Sequence, residues 1–127
     1  MTASTDIETL SNLLTLPVTP ESVRFTERPI GAGADRQVVA RIEFGDRIDD
    51  ALALLPEDPR LNNDRGVTPP EWLDTQPLAS VSREQGDLLV VTEGARDASA
   101  FAKDAFRVGF ALREPGADAV LVVMQTQ

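Results

Sequence analysis

The sequence predicts an α+β domain with a mixed α/β sheet, and three observations carry that expectation. The 127 residues are the length of one domain, read as 1–127, enough to bury about two-thirds of the surface the unfolded chain exposes. Hydrophobic residues make up 42% and charged residues 26%, a balance that suits a folded core rather than a disordered or membrane-spanning chain. The apolar positions switch between helical and strand periods, giving the order α-β-β-α-loop-β-β-α-β, about five strands in a mixed sheet with three helices.

The first helix is expected from about Thr5 to Leu16, with Ile7, Leu10, Leu13 and Leu14 at helical spacing, Thr5 and Glu8 as a capping box, and Pro17 and Pro20 ending it. "SVRFTE" and "QVVARIEF" follow as strands. Val23 and Phe25 alternate with polar neighbours in the first, and Val38, Ala40, Ile42 and Phe44 share one face of the second. "GAGAD" between them reads as a hairpin tip, since glycines that precede a strand, with no third glycine and no P-loop lysine, do not form a nucleotide cradle. A second helix is expected from about Asp46 to Leu55, capped by Asp46, with the stripe Ile48, Ala51, Leu52 and Leu55, and stopped by Pro56.

Residues 56–75 read as a long surface loop with one short helical turn. In "VTPPEW", Thr68 fits an N-cap, Pro69 the first helical position and Glu71 the third, which sets Val67 and Trp72 as a hydrophobic staple. "ASVSRE" and "DLLVVTE" then form a hairpin turning near Gln85 and Gly86. The longest helix is expected after Asp97, with Phe101, Ala105, Val108 and Leu112 as its stripe, Ala102, Phe106 and Gly109 widening it, and Pro115 and Gly116 ending it. "AVLVVM" is apolar on both faces, so Val120–Met124 and Leu88–Val91 are expected to lie parallel in the sheet, joined by that helix in a right-handed crossover. The echo of "EFGDRIDDALAL" in "TEGARDASAFAKDA" is explained by shared capping rules as readily as by a repeat.

Composition removes whole classes of chemistry. There is no cysteine, so thiolate catalysis, disulfides and thiolate metal sites are excluded; without histidine or tyrosine, an imidazole base and a phenol acid are excluded too. Lys103, the single lysine, stands among charged neighbours and reads as solvated. Asp46, Asp49 and Asp50 gather where a helix start welcomes acids. The oxygen-rich run Glu57–Asp64 lacks the spacing of an EF-hand loop, so no metal and no cofactor are expected. No apolar run reaches the roughly 18–20 residues that cross a bilayer, and the start of the chain does not read as a signal peptide, so the expectation is a cytoplasmic bacterial protein away from the membrane.

Net charge is -9, from 21 acidic against 12 basic residues, which repels phosphate backbones and argues against nucleic acid. An acidic host background would produce the same surplus. The charge is spread evenly, 11 acidic and 6 basic residues in 1–60 against 10 and 6 in 61–127, so no acidic tail is set apart.

"ALALLPEDPRL" (51–61) followed by "GVTPPEWL" (66–73) resembles the closing segment of SseB-like domains, small α/β modules of actinobacterial accessory and secretion-associated proteins. The likeness spans residues 51–73. It lies in a helix ending Leu54-Leu55-Pro56 and a later Pro69-Pro70-Glu71, while Asn62-Asn63-Asp64 stands where the family pattern has an Asn-Pro-Gly turn. It implies a non-catalytic adaptor or accessory role and transfers no site residue.

The expected function is that of a non-catalytic acidic binding module: an inhibitor, immunity or adaptor protein that meets a basic protein surface. The contact residues are expected in the long loop, where Glu57, Asp58, Asp64, Glu71 and Asp74 surround Leu61 and Trp72. Two other classes compete with this reading. One is an enzyme using carboxylates or a divalent ion; the other is an assembly subunit that associates, with itself or within a larger complex, through an unpaired edge strand.

Overall fold

The computed structural model describes residues 3–31 and 33–126. In chain order the elements are α1 (Ile7–Leu13), β1 (Ser22–Pro29), β2 (Arg36–Glu43), α2 (Ile48–Ala53), β3 (Gly66–Val67), β4 (Ser82–Gln85), β5 (Leu88–Val91), β6 (Phe106–Arg113) and β7 (Ala119–Thr126), with 3-10 turns at Gly45–Arg47, Pro59–Leu61, Gln76–Val81 and Ser99–Phe101. The strands form two sheets, one of four in the order β1-β2-β7-β6 and one of three in the order β3-β5-β4. The α+β class therefore holds. The single mixed sheet does not, because every strand pair among the described residues is antiparallel.

The larger sheet is the middle of three layers. One face, with Val23, Phe25, Val38, Ala40, Ile42, Val120, Val122 and Met124, packs beneath α1 and α2 through Leu10, Leu14, Ile48, Ala51 and Leu55. Phe101 completes that layer, its ring edge-on to Phe44 at 6.5 Å between centroids. The other face, with Val39, Phe110, Leu112, Leu121 and Val123, packs against Val67, Leu73, Leu78, Leu89 and Val91 of the smaller sheet and its flanking segments. β2 and β7 lie in the centre and are covered on both sides, which is why "VVA" and "AVLVVM" are continuously apolar. Such a run reports burial of two faces, and here an antiparallel layer supplies it without any parallel pairing. Leu88–Val91 belongs to the other sheet.

The helix expected after Asp97 is replaced by a single 3-10 turn and then β6. Asp97 does cap, accepting the Ser99 N–H at 2.7 Å, but the turn ends at Phe101. Asp104, at φ 51, then helps reverse the chain so that Lys103 and Phe106 exchange backbone hydrogen bonds. Of the presumed helical stripe, Phe101 and Leu112 are buried while Ala105 and Val108 are exposed. Strand alternation governs instead: Phe106 and Ala111 face the first core, Phe110 and Leu112 the second. A register shift between Phe106 and Val108 precedes Gly109.

The other helices are shorter than their apolar spacing suggests. α1 is capped by Asp6 rather than Thr5: Asp6 accepts from the Glu8 N–H at 3.0 Å and from the Thr9 hydroxyl at 2.9 Å. These bonds hold its carboxyl below the usual range, the Thr9 bond contributing most. The helix ends at Leu13 because the residues leading into Pro17 favour extended backbone, and Leu14 is already extended. α2 begins with the 3-10 turn at Gly45–Arg47, where Asp46 makes no capping bond. Its stripe forms as expected, with Ile48, Ala51 and Leu55 buried. The hairpin of β4 and β5 also forms as expected, with Gly86 at φ +64 and Asp87 at negative φ, the pattern of a two-residue type II′ turn. Ala32 in the first hairpin tip lies outside the described residues.

Candidate protein-binding surface

Residues 56–75 are more regular than a loop. Asp58 caps the 3-10 turn Pro59–Leu61 through the Arg60 N–H at 3.2 Å, and β3 adds to the edge of β5. The Asn62 side-chain oxygen accepts the Ala95 N–H at 3.0 Å, Asn63 donates to Val91, and Val91 donates to Arg65. Asp58, Asn62 and Asp64 of the oxygen-rich run thus turn their side chains to partners within the chain. No helix follows Thr68. Leu73 N–H closes a simple turn onto Pro70 at 3.0 Å, so the expected capping box is absent. The two prolines and Asp74, which accepts the Gln76 N–H at 3.0 Å, shape irregular turns instead.

Trp72 packs beside the second core, with Val67 among the buried residues of that cluster. Its indole N–H donates to the hydroxyl of buried Thr26 at 2.7 Å, and the Arg24 guanidinium lies 6.0 Å from the ring centroid. Strand parity explains the arrangement: Arg24, Thr26 and Arg28 alternate with Val23 and Phe25 and so share the face covered by the second layer. Trp72 fixes the segment onto β1. Further along the same face, Arg28 donates to Gln37, whose amide donates to Gln125, forming a polar ladder across β1, β2 and β7. Burial lowers the Arg28 pKa from its ordinary value.

The structure divides the seven residues expected to meet a partner. Asp58, Leu61 and Asp64 line one shallow cleft beside Asp97, Arg107 and Val108. Trp72 and Asp74 line another, beside Arg24, Arg41, Glu43 and Glu114. Glu57 and Glu71 stand exposed outside both. Local pairing also weakens the acidic character of the loop, since Asp58 is bound by Arg60 at 3.0 Å and Asp64 by Arg65. The Arg60 guanidinium is the largest influence holding the Asp58 carboxyl below its usual range.

A second charge network, not evident in the sequence, lines the cleft at Trp72. Arg41 grips Glu114 with two hydrogen bonds of 2.9 and 3.0 Å and reaches Glu43 at 2.7 Å. Arg41, chiefly through the Glu114 bonds, is pushed above its ordinary value, while Glu43 is lowered, first by Arg41 and then by the Ser22 hydroxyl. Residue 114 is 73 positions from residue 41, and the β6-β7 turn and the β2-β7 pairing together bring them into contact. Among the described residues, no group of three or more metal-ligating side chains is arranged to hold an ion, and no helix is long and apolar enough to cross a membrane.

Comparison of the chain with protein-family models, with curated proteins and with solved structures returns no match.

Proposed function

We propose that the chain is a non-catalytic acidic module that binds a basic protein surface as an inhibitor, immunity or adaptor protein. The observation that carries this reading is the state of its carboxylates. Six arginines hold all seven ion pairs among the described residues, so most of the 21 acidic side chains stand outside any ion pair. Asp46, Asp49, Glu57, Glu71 and Glu84 are exposed members of that group. A field of one sign accelerates encounter with the opposite sign and repels wrong partners. Both clefts open to solvent and each holds ion-paired side chains, Arg41 with Glu43 and Glu114 in one and Asp58 with Arg60 and Asp64 with Arg65 in the other, which suits contact with another surface better than enclosure of a substrate. The likeness of residues 51–73 to SseB-like modules points the same way, toward an accessory role.

Co-purification from the chain's own cell extract at about 50 mM salt tests the proposal, because charges separated by more than the Debye length of about 14 Å are screened at that strength. The expected result is one stoichiometric basic protein, released near 0.5 M salt and rebinding when purified. Recovery of only acidic or neutral proteins, or retention indifferent to salt, would overturn it.

A further inference from the structure

The edges of the two sheets are not treated alike. At the edge of β1, Ser4 exchanges two backbone hydrogen bonds with Phe25, of 2.8 and 2.9 Å. At the edge of β6, Arg96 does the same with Ala111, at 2.8 and 3.0 Å. β4 has no such cover among the described residues: it pairs with β5 on one side and lies at the end of its sheet on the other.

Register identifies what β4 presents. Val91 directs its N–H and C=O toward Arg65 and Asn63 on the β3 side, so the alternate residues Val90 and Leu88 face β4. Their partners Arg83 and Gln85 are the hydrogen-bonded residues of β4, and the backbone groups of Ser82 and Glu84 point outward. Beside that edge runs a groove bounded by Gln76 and Ala79 of the adjacent 3-10 turn and floored by Leu89. Glu84 sits opposite Leu89, on the same face as the groove, exposed and outside any ion pair. Arg83 alternates with Glu84 along the strand and also lines the groove, its guanidinium donating to Gln85 at 2.8 Å.

We propose that the outer edge of β4 is a docking strand for an extended segment of a basic partner, which adds to the three-stranded sheet with a lysine or arginine opposite Glu84. This rests on the reading of the chain as a binder of basic proteins and locates the contact on β4 rather than on the 56–75 segment. The backbone of Ser82 and Glu84 supplies the ladder, and the groove receives the aliphatic stem of the cation while its head meets the Glu84 carboxylate. A second copy of the chain fits poorly. Residues facing each other across an antiparallel pair direct their backbone groups either both toward the partner strand or both away from it, so Ser82 and Glu84 can oppose only residues that likewise point outward from their own sheet. The two such twofold registers that pair three residues of β4 place either Arg83 against Arg83 or Glu84 against Glu84, and like charges directly opposite are destabilising.

The test is amide NMR of the labelled chain at low salt, titrated with a capped eight-residue peptide of alternating lysine and valine. The expected result is saturable shift changes at Ser82–Gln85, slowed exchange of the Glu84 amide, and binding at least tenfold weaker for the same peptide with glutamate in place of lysine. Glu84→Pro removes the outward N–H without touching the bonds to β5, which run through Arg83 and Gln85, and should abolish the β4 shifts. Glu84→Gln keeps the N–H and should weaken binding several-fold while flattening its salt dependence, which keeps the test decisive if the proline perturbs the strand. Lysine-peptide shifts confined to Asp46–Asp50 or Glu57–Asp74 would overturn the β4 site and leave the acidic-binder reading standing. Absence of binding, equal binding of the glutamate peptide, or a mass that doubles with concentration as β4 shifts would each overturn the proposal.

Discussion

Gly109→Ala separates the strand in this structure from the helix that apolar spacing suggests, because the two give opposite signs. In a helix interior, replacing glycine with alanine stabilises by about 1 kcal/mol. In β6, a Cβ on residue 109 would lie 1.9 Å from the Val123 carbonyl oxygen, 2.8 Å from its carbon and 2.9 Å from the Met124 Cα. Those atoms are backbone of β7, which is fixed between β2 and β6 and cannot yield as a side-chain tip could. Relief needs a displacement of about 1 Å in β6, at the point where its register already shifts, and overpacking of this kind costs ~1–3 kcal/mol before any lost ladder bond. The loss should therefore be about 2–3 kcal/mol, and with a urea slope of ~1–3 kcal/mol/M the denaturation midpoint should fall by about 1 M. A midpoint that is unchanged or raised would refute the strand assignment and the steric argument together.

Phe101 is fully buried in the first core, so Phe101→Ala should cost ~3–5 kcal/mol in the same assay, and a loss below about 1 kcal/mol would contradict its position. Trp72→Phe keeps an aromatic ring but removes the N–H that reaches buried Thr26, so a loss of about 1 kcal/mol is expected; a neutral result would mean the bond contributes nothing net. Glu43 has a folded-state pKa below its ordinary 4.5, so the stability it contributes is present above that value and is lost as pH falls through the lower folded value. Urea midpoints should accordingly begin to drop as pH falls through 4.5 and continue to drop below it, and Arg41→Gln should make that drop shallower; an identical acid limb in the variant would remove Arg41 as the cause.

Legibility in the sequence followed the range of the interactions. The β1-β2 hairpin, the α2 stripe and the β4-β5 hairpin rest on alternation, helical spacing and a turn glycine, signals contained within about ten residues. The segment 97–113 misleads because Phe101, Val108 and Leu112 satisfy helical spacing while Phe110 and Leu112 satisfy strand spacing, and the register shift after Phe106 turns that ring to the opposite face. Burial on both faces of β6 decides between them, and the sequence does not display it. The second sheet is hidden for a related reason: β3 is two residues long and exists because β5 offers it an edge. At the expected contact surface, the Asp58–Arg60 and Asp64–Arg65 pairs are close in sequence and could be anticipated from spacing. The Trp72–Thr26 bond and the Arg41–Glu114 grip could not, since they join positions 46 and 73 residues apart.

The association rate of the co-purified basic protein with the chain, measured by stopped flow from about 50 to 500 mM salt, is the most direct test of a charge-steered binding module. A field of this sign should raise encounter well above the neutral range, so the on-rate should fall by at least tenfold across that interval while the off-rate changes far less. An on-rate indifferent to salt would contradict the account, because the surplus of carboxylates would then play no part in finding the partner.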